Sequence, residues 1–146
     1  MKKKLGIYIH IPFCVRKCAY CDFLSAPAGE ATRSASVRAL REEIRSAGEL
    51  DEIYEGATVF FGGGTPSLLT GKELAGILDE VSRRLLLRSD AEITVECNPG
   101  TLNREKLEIY KRAGINRLSI GLQSADNREL KTLGRIHTWE QFLENY

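Results

Sequence analysis

Cys14, Cys18 and Cys21 are spaced C-x3-C-x2-C directly after the apolar run of residues 5–13. Thiolates at such separations can converge on one small inorganic centre, and iron–sulfur clusters are held by ligands of this kind. A closed site takes four protein ligands, and this loop supplies three. In a four-iron cluster one iron would then stay open to a molecule from outside, which is a place for chemistry. A second reading closes a structural zinc site of the Cys3His type by adding His10 to the same three thiols.

Three further motifs carry reactive or ligand-gripping groups. The run GGGTPS at 62–67 offers backbone without Cβ atoms, which can approach a ligand closely and present N–H groups to a carboxylate, while Pro66 stiffens its exit. A tight strand-to-helix turn needs fewer glycines than three in a row. In ECNPG at 96–100, Glu96 can accept hydrogen bonds from ribose hydroxyls or an ammonium, or simply end a strand in solvent. Cys97 falls on the opposite side of that strand and reads as a buried small hydrophobe rather than a fourth ligand. In GLQS at 121–124, Gln123 offers both donor and acceptor. Arg135, after Gly134, can reach a carboxylate from a cavity rim or stay on the surface. His10 reads as a packed, hydrogen-bonded histidine, His137 as a surface group and Trp139 as packing.

These motifs need elements to hold them. Short β-type runs alternate with longer helical periodicities, the pattern of βα units around a parallel sheet. Strands are expected over 5–9, 57–61, 92–96 and 117–120. Val37, Leu40, Ile44 and Ala47 recur at helical spacing. Thr70 and Glu73 form a capping box ahead of Leu74, Ile77, Leu78, Val81 and Leu85. Asn103 reads as an N-cap, with Leu102 and Leu107 as a staple and Gly114 as the stop. Asp126 caps a short helix ending at Gly134, and Thr138 with Gln141 opens another. Residues 25–30, rich in Ala, Pro and Gly, read as flexible. Each of the four motifs follows a strand at its carboxyl end. In parallel βα folds those ends share one face, so the motifs should surround one cavity.

The bulk properties exclude several classes. A chain of 146 residues with 42% apolar and 28% charged side chains suits one ordinary globular domain. A net charge of +1 with both signs interspersed gives no nucleic-acid or anionic-membrane footprint. No apolar run approaches the roughly 20 residues that span a bilayer. Lys2, Lys3 and Lys4 precede an apolar stretch, but His10, Pro12 and the lack of a small-residue cleavage site speak against a signal peptide. Three clustered cysteines with a distant fourth fit a cytoplasmic cofactor loop better than a disulfide scaffold. The last helix is cut less than three turns after Thr138, and a stub that short is marginal. Residues 1–146 are therefore expected to be a truncated piece of a larger protein, incapable of full turnover alone; a complete small domain with a frayed tail is the alternative.

Tyr8-Ile-His-Ile-Pro-Phe-Cys14, then Cys18 and Tyr20-Cys21-Asp-Phe23, followed in order by GGGTPS, ECNPG and GLQS, resembles the oxygen-independent coproporphyrinogen III oxidase family of radical S-adenosylmethionine (SAM) enzymes. The resemblance runs from Leu5 to the final helix. It implies an α/β fold, the N-terminal part of an incomplete (β/α) TIM-like barrel with about four βα units here and a smaller C-terminal domain beyond. It implies that Cys14, Cys18 and Cys21 ligate a [4Fe–4S] cluster whose fourth iron is chelated by SAM. One electron from the reduced cluster would cleave the sulfonium into methionine and a 5′-deoxyadenosyl radical. By the same resemblance Tyr8 contacts SAM, Tyr20 stands beside the cluster, Gly63, Gly64 and Thr65 meet the SAM amino group, and Glu96 binds the ribose. Gln123 and Arg135 match positions that contact a second SAM in the oxidase.

One departure matters. The oxidase places another cysteine two residues after the third ligand, where this chain has Phe23. Cys-Asp-Phe is similar to the heme chaperone (HemW-type) branch, which implies heme delivery rather than decarboxylation of a porphyrinogen. Heme is then an expected partner, with the oxidase as the alternative.

Overall fold

Runs of β-branched and aromatic residues joined by helical segments too long for hairpins leave a parallel sheet with crossover helices as the economical solution. That is the arrangement in the computed structural model, which describes residues 2–48 and 50–146. In chain order the elements are β1 (Lys3–Ile11), β2 (Phe13–Cys14), β3 (Ala26–Pro27), α1 (Glu30–Ser46), β4 (Tyr54–Gly63), α2 (Gly71–Arg84), β5 (Leu87–Cys97), α3 (Arg104–Ala113), β6 (Arg117–Ile120), α4 (Asn127–Thr132) and α5 (Trp139–Asn145), with a 3-10 turn at Pro66–Leu68. The main sheet has the order β1-β4-β5-β6, parallel throughout.

The two-residue period of the strands sorts their side chains. Ile9 and Ile11, Val59 and Phe61, and Ile93 and Val95 are buried on one face against Leu74, Ile77, Leu78 and Val81 of α2 and Tyr110 of α3. Burying each such side chain contributes about 1.5–3 kcal/mol, so this one-sided core holds the βα units together. The register places Tyr8, Phe60 and Thr94 side by side on the other face, with Glu96 two residues further along.

Helix signals act where the sequence puts them. Thr70 Oγ1 accepts from the Glu73 amide at 3.1 Å while Glu73 Oε2 accepts from the Thr70 amide at 2.8 Å. Asn103 Oδ1 accepts from the Lys106 amide at 2.8 Å, and Gly114 ends α3 in the left-handed region at φ 99°. Thr138 and Gln141 form the second reciprocal box. Such caps contribute about 1 kcal/mol each.

Three expectations are corrected. β1 and β5 are longer than their apolar runs, because pairing rather than hydrophobicity sets their ends: Lys3 pairs with Tyr54, and Leu87 with Gly56 across a bulge before Glu92. The polar residues inside that extension are held by charge, with Arg88 bonded to both Glu55 and Asp90 at 2.8 Å. Residues 25–30 are not a loose linker, since Ala26 donates to the Pro12 carbonyl at 3.0 Å and β3 pairs with β2. His137, in the α4–α5 connection, is buried, only 5% exposed, with its Nε2–H donating to the Leu122 carbonyl at 3.0 Å. That burial lowers its pKa.

An ion cluster braces the helical layer. Glu80 on α2, 3% exposed, accepts from Arg41 Nη2 at 2.7 Å and from Arg45 Nη2 at 2.5 Å, both on α1. Hydrogen bonds from Arg45 and then Arg41 pull its carboxyl down to about 2.

Candidate metal and cofactor site

The cysteine loop leaves β1 at its carboxyl end and is pinned along its length. Tyr8 Oη donates to His10 Nδ1 at 2.9 Å, and His10 Nε2–H donates to the Leu24 carbonyl at 2.8 Å. Both histidine nitrogens are thereby engaged, and His10 is not a fourth metal ligand in this arrangement. Lys17 Nζ donates to the Phe23 carbonyl, the Cys21 amide to the Cys18 carbonyl, and the Ala19 amide to the Leu133 carbonyl. The last bond ties the loop to the end of α4.

The triple glycine serves the cysteine loop directly. The Gly64 amide donates to the Ile11 carbonyl at 2.9 Å. A Cβ on Gly64 would lie 2.6 Å from the Phe13 carbonyl oxygen and 2.9 Å from Cys14 Sγ. At Gly63, φ is 116° and a Cβ would lie 2.8 Å from the Ile11 carbonyl oxygen. The end of β4 can therefore nest under the thiol loop only because these residues lack side chains. The Gly63 amide donates to Glu96 Oε2 at 3.2 Å, so the carboxylate sits over the glycine turn.

One open cavity is lined by all three clustered cysteines, by Gly63, Gly64 and Thr65, and by Tyr20, Glu96, Gln123 and Arg135. Tyr8 lies beside this cavity on the open face of β1, 60% exposed, its phenol raised by burial of the hydroxyl and by the Glu96 charge. Ten of the eleven residues singled out for cofactor or metal binding thus meet around one space, and Tyr8 borders it. Among the described residues no three His, Cys, Asp or Glu side chains converge closely enough for a single ion. A four-iron cluster instead takes its thiolates on separate irons. The donor set, the cradle beneath Cys14 and a buried Arg135 Nε without a partner are compatible with a cluster and a carboxylate-bearing cofactor in this cavity.

Cys97 also lines the cavity, but its thiol does not join the donor set. It is 3% exposed, its thiol donates to the Val95 carbonyl at 3.5 Å, and desolvation pushes its pKa up to about 12. A neutral core thiol is a poor ligand.

Arg135 and Asn98 organise the rim. Arg135 Nη2 donates to the Gly121 carbonyl at 2.7 Å and to Asn98 Oδ1 at 3.0 Å, while Nη1 points to Cys18 Sγ at 3.7 Å and the Tyr20 hydroxyl at 3.5 Å. Burial raises the Tyr20 phenol, and Arg135 opposes that shift. Asn98 was not separable from its motif by sequence reasoning; an Asn-Pro step at a strand top, next to a candidate ligand acid, is the signal that marks it. Gln123 adopts φ 72°, a left-handed conformation unusual for a residue with a Cβ.

The profile of the Radical SAM superfamily matches residues 8–146. Over 134 residues the chain is 49% identical to a protein of Escherichia coli named heme chaperone HemW, covering 91% of this chain and 35% of that protein. It is 37% identical over 142 residues to the mitochondrial radical S-adenosyl methionine domain-containing protein 1 of Bos taurus, covering 97% of this chain and 32% of the relative. The solved structure of coproporphyrinogen III oxidase (HemN) from Escherichia coli superposes with a TM-score of 0.85 at 24% identity, over 99% of this chain and 34% of that one. The four βα units therefore have the fold of the first part of a radical SAM TIM-like barrel. The chain spans about a third of the length of the curated relatives it matches. Among the described residues, no helix is long and apolar enough to cross a membrane.

Proposed function

The chain belongs to the radical SAM superfamily, and we propose that it forms the cluster- and SAM-binding part of a heme chaperone. The observation that carries this reading is the meeting of three loop thiols with Gly63, Gly64, Glu96 and Arg135 around one cavity at the carboxyl ends of the strands. Cys14, Cys18 and Cys21 would hold a [4Fe–4S] cluster. When bound, a cluster with an open iron supplies one-electron reduction of the SAM sulfonium.

The chain's own residues bind and orient. Glu96, fixed by the Gly63 amide, is placed to accept from ribose hydroxyls. Gly63, Gly64 and Thr65 would face the amino-acid end of SAM, with Tyr8 and Tyr20 flanking the site. Arg135 and Gln123 also line the cavity, where a cation and an amide can receive a carboxylate or a second polar ligand. Heme as the cargo is supported by the 49% identity to a protein named heme chaperone, together with Phe23 where the oxidase-like pattern has a further cysteine.

Anaerobic reconstitution tests this. About four irons and four sulfides per chain and an electron paramagnetic resonance signal that shifts on adding SAM are expected, and stable heme binding without porphyrinogen turnover is expected of a chain extended to the full length of its relatives. Tight stoichiometric zinc with no cluster would sink the reading; decarboxylation of coproporphyrinogen would replace the chaperone with the oxidase.

A further inference from the structure

We propose that Asn98 is a positioning residue that aims Thr65 and Arg135 at two of the cluster cysteines and thereby raises the reduction potential of the centre. The inference rests on the reading of this cavity as a cluster site and assigns a role to a residue outside the ligand and SAM set.

Five side chains, Cys14, Thr65, Asn98, Arg135 and Cys18, form a continuous belt at the carboxyl end of the sheet. Asn98 Nδ2 donates to Thr65 Oγ1 at 2.9 Å, and Thr65 Oγ1 lies 3.7 Å from Cys14 Sγ. A hydroxyl has one proton, so while its oxygen accepts from Asn98 that proton is free to point at the sulfur. On the other side Asn98 Oδ1 accepts from Arg135 Nη2 at 3.0 Å, which turns Nη1 toward Cys18 Sγ at 3.7 Å. The amide therefore sets the direction of the donor on Cys14 and, together with the Gly121 carbonyl that also accepts from Arg135 Nη2 at 2.7 Å, the direction of the cation on Cys18. No other side chain bonds to both of these partners among the described residues.

Two features bear on the amide as distinct from the loop around it. The Asn98 backbone is anchored independently: its N–H donates to Ser67 Oγ at 3.2 Å, and its carbonyl accepts from Thr101 Oγ1 at 2.6 Å. The junction also has reserved space, because a Cβ on Gly121 would stand 3.3 Å from Asn98 Oδ1 and 3.5 Å from Arg135 Nη2. Donors and a positive charge beside thiolates favour the more negative, reduced state of a cluster. Their misalignment would favour the oxidised state.

The test is redox titration, followed by electron paramagnetic resonance, of the anaerobically reconstituted protein and of Asn98→Ala and Asn98→Asp. Both variants should retain iron and shift the midpoint potential to more negative values. Asn98→Asp should shift further, because a carboxylate would accept the Thr65 proton away from Cys14 and add negative charge. It is also near-isosteric, so it carries the test if Asn98→Ala folds poorly. Potentials equal to wild type in both variants, or iron loss with the residual centre at the wild-type potential, would overturn the proposal while leaving the cluster reading intact. Failure of the wild type itself to assemble a cluster would overturn both.

Discussion

Gly64 lies so close to Cys14 that a Cβ on the glycine would stand 2.9 Å from the cysteine sulfur. The same atom would press into the Phe13 carbonyl oxygen, which is backbone and cannot swing aside. Gly64→Ala should therefore displace the thiol loop, costing about 1–3 kcal/mol of stability. Iron bound after reconstitution should fall disproportionately, by about 10-fold or more, as when groups supporting a metal ligand are moved. Iron analysis beside thermal unfolding measures both; wild-type iron content in a folded variant would contradict the assignment.

The four thiols should divide three to one. Cys14, Cys18 and Cys21 are partly exposed, while Cys97 is buried and desolvation holds its pKa near 12. Maleimide labelling of the native apoprotein at neutral pH should consume three thiols quickly and the fourth only in denaturant. Cys97→Ala should leave cluster iron unchanged, whereas serine at any of the other three positions should abolish it.

Acid should loosen the helical layer through Glu80. Its folded pKa is depressed to about 2 from an ordinary 4.5, so its ion cluster stabilises the fold above the ordinary value. That contribution is lost as pH falls from about 4.5 toward 2. Melting temperatures across this window should decline, and Glu80→Gln should flatten the decline while lowering stability at neutral pH. Asp90 and Asp126, also depressed by arginine partners, leave a residual slope.

Gln123 holds a left-handed backbone at φ 72° on the cavity rim. Such a conformation costs about 1 kcal/mol or more for a residue with a Cβ and is tolerated where the side chain is needed. Gln123→Gly should raise the melting temperature modestly and weaken SAM binding to the reconstituted protein. Calorimetric titration would show unchanged SAM affinity if the side chain has no binding role.

Much of this architecture was legible because local signals and tertiary packing agree. The Thr70–Glu73 and Thr138–Gln141 boxes, the Gly114 stop and the placing of four motifs on strand tops needed only spacing and strand polarity. The failures share a cause, which is that partners distant in sequence overrode local character. Arg88 and Asp90 look like loop residues but lie in a bulged strand extension paired with Glu55. His137 looks like a surface residue until the Leu122 carbonyl supplies its partner. At the candidate site, residue type and spacing singled out Cys14, Glu96 and Arg135, which the structure places around one cavity, but not Asn98. Its weight comes from standing between Thr65 and Arg135, which only the folded chain brings together; the Asn-Pro step marks the position but not that role.

The bond from the Ala19 amide to the Leu133 carbonyl has a bearing on how such a protein is made. The thiols are synthesised early, yet the turn that clasps their loop is more than a hundred residues downstream, so a growing chain on the ribosome presents bare sulfur long before its clasp exists. Iron delivered at that moment would meet an unshaped tether open to wrong partners. On the proposed reading of this loop as a cluster site, insertion belongs after translation has passed the fourth βα unit.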